Sequence, residues 1–112
     1  MSLIKEYVGK NLYKDVTEIA DTPIDWKKFE NKTVLITGAN GFIAYYLTLA
    51  LLLQNDRKSL GITVIGLVRN QKKAEAKYGK ILERSDLRLV SKNVCEDLSD
   101  LEHADYIIHA AS

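Results

Sequence analysis

One cysteine, Cys95, is the whole thiol inventory of this chain of 112 residues. A lone thiol closes no internal disulfide and builds no zinc cage, so the sequence implies a reducing compartment, taken as the cytoplasm, and no structural metal. Net charge is nearly absent too, since 16 Lys and Arg stand against 15 Asp and Glu for a formal +1. No global field holds a nucleic acid or an anionic membrane, and any polyanion site must be local. Long apolar runs are missing: the longest, Phe42 to Leu53, includes Thr48 and two tyrosines. It falls short of the roughly 18 consecutive apolar residues that a membrane-spanning helix needs. The N-terminus has no basic segment followed by an apolar stretch and a cleavage site. With 46% apolar and 28% charged residues, the composition is that of a soluble globular chain and excludes disordered, collagenous and mucin-like classes. At this length folding buries roughly 65% of the unfolded surface, enough for one core and not for two domains.

Leu12, Val16 and Ile19 recur at the i, i+4, i+7 spacing of an amphipathic helix, which Leu3, Ile4, Tyr7 and Val8 extend backwards. Asp21-Thr22-Pro23 breaks that helix. Asp25 is placed to cap a short turn carrying Trp26 and Phe29, and Glu30-Asn31-Lys32 forms the loop out. This apolar-faced extension either caps an exposed sheet edge or makes a subunit contact.

From Thr33 the pattern changes. Thr33-Val34-Leu35-Ile36-Thr37 is a β-branched, apolar run that suits a strand buried on both faces. Phe42 to Gln54 reads as a buried helix, apolar almost all round and rich in Leu and Ala. A polar, turn-rich segment from Asn55 to Gly61 leads into a second strand, Ile62 to Val68. Asn70 to Leu82 reads as a solvent-facing helix, Leu87 to Val90 as a third strand and Asp105 to His109 as a fourth. Alternating strands and crossover helices imply a parallel sheet with right-handed connections and helices on both faces.

Between the first strand and the first crossover helix lies Thr37-Gly38-Ala39-Asn40-Gly41-Phe42-Ile43-Ala44. At such a junction free backbone N–H groups and the positive end of a helix face outward together, which suits a pyrophosphate. Gly38 permits the tight turn, Gly41 lets a phosphate approach the backbone, and Ala44 is the small residue that keeps helix and strand close. A mononucleotide phosphate loop is disfavoured, because no Gly-Lys-Ser or Gly-Lys-Thr follows.

This stretch resembles the T-G-x-x-G signature, followed by Phe or Tyr, Ile or Leu, and Gly or Ala, of the extended short-chain dehydrogenases/reductases. That is the NAD(P)-dependent nucleotide-sugar epimerase and dehydratase group. Asn93-Val94 is similar to the group's Asp-Ile or Asp-Val after the third strand, which holds the adenine. Asp105-Tyr106-Ile107-Ile108-His109-Ala110-Ala111-Ser112 is similar to its fourth-strand run, whose small residues line the cofactor path. The resemblance covers residues 33–112 and does not reach 1–31. It implies an α/β fold of Rossmann type, three-layered α/β/α, with a parallel sheet in strand order 3-2-1-4 behind the N-terminal helical extension 1–31. Residues 32–112 would then be the N-terminal half of an NAD(P)-binding domain in a longer enzyme. Gly38, Asn40, Gly41, Phe42 and Ile43 would surround the pyrophosphate, Arg69 the adenosine end, Asn93 and Val94 the adenine, and Ala110 and Ala111 the nicotinamide approach.

Three departures matter. Members that prefer NAD usually end the second strand with an aspartate for the ribose, whereas here Val68, Arg69 and Asn70 stand there. Arginine's fork matches the 2′-phosphate of NADP, which tilts the expected cofactor, NAD or NADP, towards NADP; the bland alternative is a solvated strand-end charge. Asn93 keeps a side-chain acceptor without the charge. The group's Tyr-x-x-x-Lys acid/base pair is also absent: the residues four on from Tyr7, Tyr13, Tyr45, Tyr46, Tyr78 and Tyr106 are Asn11, Thr17, Leu49, Ala50, Leu82 and Ala110.

His103 reads as a solvated loop residue and His109 as a packed strand end, since neither has a ligand or a partner at catalytic spacing. Cys95 has Glu96 rather than a cation beside it and reads as unreactive. Tyr45 and Tyr46 read as core aromatics, and Lys72, Lys73 and Lys77 as a solvated face that could attract an anion with Arg69. The resemblance implies an oxidoreductase acting on a nucleoside-diphosphate sugar, a homo-oligomer when complete, with no nucleic-acid or membrane partner. Alternatives are an NADPH-dependent carbonyl reductase of the same superfamily and a non-catalytic dinucleotide-sensing module.

Overall fold

The computed structural model describes residue 4 and residues 9–38, 41–91 and 104–109. Helix α1 (Lys10–Ala20) turns the predicted stripe inward, burying Val16 and Ala20 with Leu12, Tyr13 and Ile19 half-buried around them. It ends where the sequence breaks. A 3-10 turn, Trp26–Phe29, follows, but Asp25 makes no side-chain cap there. Backbone and indole do that work instead: the Lys28 amide donates to the Asp25 carbonyl and Trp26 Nε1 to the Thr22 carbonyl.

Four strands, β1 (Thr33–Thr37), β2 (Thr63–Val68), β3 (Leu87–Ser91) and β4 (Tyr106–His109), form one parallel sheet in the order β3-β2-β1-β4. This is the expected α/β Rossmann-like arrangement, a sheet flanked by helices. Thr37 pairs with Leu67 on one side and with His109 on the other, so the C-terminal ends of three strands stand level. The described helices pack on the face carrying Val34, Ile36 and Val64, while Leu35, Ile65 and Leu67 bury the other face with Val90 and Ala104. Strands covered on both faces need continuous apolar runs, which β1 and β2 supply.

Helix α2 (Phe42–Lys58) runs four residues beyond the expected Gln54. Asn55 was read as turn-forming, but its side chain holds both the amide and the carbonyl of Ile62, each at 2.8 Å, so the helix continues over it. Ser59, in the left-handed conformation, closes it. The expected helix 70–82 divides at Gly79 (φ 55) into α3 (Gln71–Tyr78) and a 3-10 turn (Gly79–Glu83), and it is not wholly solvent-facing: Ala74, Tyr78 and Ile81 are buried.

The described part of the extension packs along α2. Buried Gln54 donates to the Ala20 carbonyl at 2.6 Å, and Arg57 pairs with Asp21 at 2.9 Å. Phe29 reaches the edge strand, meeting Tyr106 edge-on with centroids 5.0 Å apart. Among the described residues no helix is long and apolar enough to cross a membrane, and no cluster of His, Cys, Asp or Glu could hold a metal.

Candidate functional site

Beyond Thr37 the backbone reverses at Gly38, whose φ of 65° lies in the left-handed region. An L side chain there costs roughly 1–2 kcal/mol, so the position selects glycine. Gly41 has an ordinary extended conformation and needs glycine for space: a Cβ would stand 3.2 Å from the Gly38 carbonyl oxygen. The same oxygen accepts the Gly41 amide at 2.8 Å. Gly41 therefore shapes the turn with its own N–H directed inward.

The donors that remain begin one residue later. The first helical bond of α2 runs from the Tyr45 amide to the Gly41 carbonyl at 2.9 Å, so within the helix the N–H groups of Phe42, Ile43 and Ala44 have no carbonyl to donate to. Ala44 is buried against the core, whereas Phe42 and Ile43 are 67% and 68% exposed. No acidic residue occupies this first turn, and Arg57 and Lys58 sit in the last. The positive end of a 17-residue helix thus faces outward with no carboxylate in its first turn to neutralise it. Glycine at both ends of the bend, two exposed residues in the first turn and this field make an end of the sheet that suits an anion.

Arg69 leaves β2 one residue past the position level with Gly38, by extension of the Thr37–Leu67 register. It is exposed, and among the described residues no carboxylate pairs with it. Asn70 is engaged in structure: its Oδ1 accepts the Lys73 amide at 3.0 Å and caps α3. His109 is exposed and level with Thr37. Gly38, Gly41, Phe42, Ile43 and Arg69 therefore share one end of the sheet. Asn40, Asn93, Val94, Ala110 and Ala111 lie outside the described residues, as do Cys95 and His103.

Tyr45 is buried as read, and Tyr46 half-buried. Lys77 is more than a solvated charge, because its Nζ stands 5.0 Å above the Tyr45 ring. Burial pushes the Tyr45 phenol up, and it pushes that of Tyr78 up to about 12. Sequence reasoning missed Tyr78 and Thr48. The available signal was Tyr78 directly before Gly79, a helix stop beside an aromatic.

Residues 34–112 match the model of the NAD dependent epimerase/dehydratase family. The chain belongs to that family. Among curated proteins none matches it. A solved structure described as a protein-L-isoaspartate O-methyltransferase from Plasmodium falciparum, in complex with S-adenosyl-L-homocysteine, is similar at 14% identity and a TM-score of 0.41. That likeness covers 74% of this chain and 37% of the other.

Proposed function

We propose that this chain is the dinucleotide-binding segment of an NAD(P)-dependent oxidoreductase of the epimerase/dehydratase type, whose substrate is a nucleoside-diphosphate sugar. The observation that carries the reading is the glycine bend at the head of α2, with Gly38 at φ 65° and Phe42 and Ile43 exposed beyond it, in a member of a family described as NAD dependent. Residues 32–112 are read as the first half of the binding domain and 1–31 as its helical extension. A cytoplasmic setting and a homo-oligomeric complete enzyme belong to the same proposal.

The amides of Phe42 and Ile43 would donate to the pyrophosphate, and Gly38 and Gly41 hold them in place. The Arg69 guanidinium would pair with a 2′-phosphate, which favours NADP. By resemblance alone, Asn40 would join the pyrophosphate contacts, Asn93 and Val94 would hold the adenine, and Ala110 and Ala111 would line the nicotinamide approach. When bound, the nicotinamide supplies hydride acceptance and return at a sugar carbon. No Tyr-x-x-x-Lys pair is present in these 112 residues, so the role assigned to them is holding the cofactor.

Thermal unfolding with each cofactor tests the reading. A ligand at 100 times its Kd, binding only the native state, stabilises by about 2.7 kcal/mol, or roughly 10 °C in a domain of this size. A flat response to both NAD and NADP overturns the proposal. Arg69→Ala is expected to weaken NADP about tenfold and leave NAD within about twofold, since a charge-assisted phosphate contact is worth about 1.5–3 kcal/mol. An unchanged ratio of the two affinities, read by calorimetry, removes the 2′-phosphate contact.

A further inference from the structure

The sheet ends on β3 and β4, each paired on one side only among the described residues. Such an edge presents unpaired backbone groups and accepts another strand unless something guards it. β3 carries a guard, the exposed Arg88. β4 carries neither lysine nor arginine, and it shows Tyr106 and Ile107, 39% and 54% exposed.

Ile107 is the uncovered end of an apolar row. By register it stands level with Leu35, and Leu35 with Ile65, so the three share one face of the sheet. Leu35 and Ile65 are only 2% and 8% exposed. On the opposite face Tyr106 stands level with Val34 and Ile108 with Ile36, and the Phe29 ring meets Tyr106 edge-on at 5.0 Å. Both faces therefore bring apolar side chains up to the same open edge.

The strand and the residue before it read Asp105-Tyr106-Ile107-Ile108-His109. An acid at one end and an imidazole at the other flank three apolar residues, so the strip complements its own reverse. In an antiparallel pair centred on Ile107, that residue faces its own copy, Tyr106 faces Ile108, and Asp105 faces His109. Every opposed pair then matches, apolar with apolar and carboxylate with imidazole. A slip of one residue sets side chains of opposite faces together. A slip of two sets Ile107 against Asp105 or against His109. Asp105 can take part without leaving its place, because the bond from the Thr33 amide at 2.9 Å uses Oδ2, one of its two oxygens.

We propose that β4 is a homodimer edge, at which two copies of this chain pair antiparallel about a two-fold axis through Ile107 and join their four-stranded sheets into one. A second copy is the occupant because the charge pattern of the strip matches itself, as a symmetric interface requires. On one face the apolar row then runs from Ile65 through Leu35 and Ile107 into the same residues of the other copy. The inference rests on the homo-oligomer part of the reading above and needs no bound dinucleotide. With four strand residues the contact is short, so the dimer belongs to the weak class that buries less than about 1,200 Å².

Sedimentation of the full 112-residue chain over a concentration series is the first test. Wild type is expected to pass from monomer to dimer, and Ile107→Lys to weaken dimerisation at least about tenfold by setting like charges face to face on the axis. His109→Asp, which opposes Asp105 to a second carboxylate, is expected to act in the same direction. Both positions are exposed, and the melting temperature of each variant confirms that it folds. Cysteine linking reads the register. In a Cys95→Ser background, oxidised Ile107→Cys should form a disulfide with its own copy, whereas Tyr106→Cys should link only when mixed with Ile108→Cys. A monomer at every concentration overturns the proposal. If the Tyr106–His109 amides of that monomer also resist hydrogen exchange, another segment of the same chain holds the edge. A dimer that Ile107→Lys leaves intact, or one in which Tyr106→Cys links to itself, keeps the homo-oligomer and overturns its placement about Ile107. NADP binding by a chain that stays monomeric sinks this inference and leaves the dinucleotide reading standing.

Discussion

Gly41→Val is expected to lower dinucleotide affinity at least about a hundredfold while leaving a folded chain, since two charge-assisted hydrogen bonds at about 1.5–3 kcal/mol each are at stake. The added Cβ would stand 3.2 Å from the Gly38 oxygen, an atom already holding the Gly41 amide at 2.8 Å. Valine brings two further methyls to that spot, so the carbonyl must move and the bend must open. The N–H groups of Phe42 and Ile43, which follow immediately, then turn away from a common focus. Torsion is not the cause, because φ −78° and ψ 162° suit valine. Gly38 should fail differently. At φ 65°, Gly38→Ala is expected to cost roughly 1–2 kcal/mol of stability through backbone strain. Melting temperature and cofactor titration, measured on both variants, separate a strained bend from an opened one. Wild-type affinity in Gly41→Val would show that the bend holds no pyrophosphate.

The parts of the molecule that could be read in advance are those set by neighbours in the chain. Val34-Leu35-Ile36 and Val64-Ile65 announce strands covered on both faces, and the right-handed crossover rule limits how such strands are ordered. The Gly38–Gly41 bend is legible for the same reason, since its glycines, strand and helix are contiguous. What escaped notice depends on residues brought together only by folding. Asn55 extends α2 by clasping the Ile62 backbone, and nothing local distinguishes that asparagine from one in a turn. Asp25 has the composition of a cap, yet Trp26 fastened to the Thr22 carbonyl holds its turn without it. Gly79, at φ 55°, divides the expected helix beside a Tyr78 buried edge-on against Tyr45, a neighbour more than thirty residues away in sequence. Of the candidate site, the Gly38–Gly41 bend at the head of α2 was legible from one octapeptide. The inward direction of the Gly41 amide was not, because the three-residue closure to Gly38 depends on backbone angles that the residue types permit but do not dictate.

Arg84→Ala is expected to destabilise the chain by about 2 kcal/mol at neutral pH, less than the roughly 3–5 kcal/mol for a fully buried pair, because both carboxylates keep some solvent contact. Arg84 grips Asp86 at 2.9 and 2.8 Å and Asp56 at 3.0 and 2.9 Å. Side-chain exposure is 13% for the arginine and 23% for each aspartate. Asn55 adds a bond to Asp86 at 2.9 Å, so the cluster joins the last turn of α2 to the entries of β2 and β3. Burial pushes the Asp86 carboxyl up, but the bonds from Arg84 and Asn55 outweigh it and hold the group below the ordinary value of 3.8. With its folded value depressed, Asp86 contributes stability that is present in full above the unfolded value and is lost as pH falls through the folded one. Without Arg84 burial prevails, Asp86 protonates more readily, and acid no longer removes a stabilising charge. The gap between wild type and Arg84→Ala in urea unfolding should therefore be widest near pH 7 and narrow as pH falls below 4. A gap independent of pH would assign the loss to packing of the arginine stem. Because the cluster stands at the end of the sheet opposite Gly38, dinucleotide affinity in the folded variant should stay within about twofold of wild type, as expected for well-separated sites. A larger change would show that the two ends of α2 are mechanically coupled along its length.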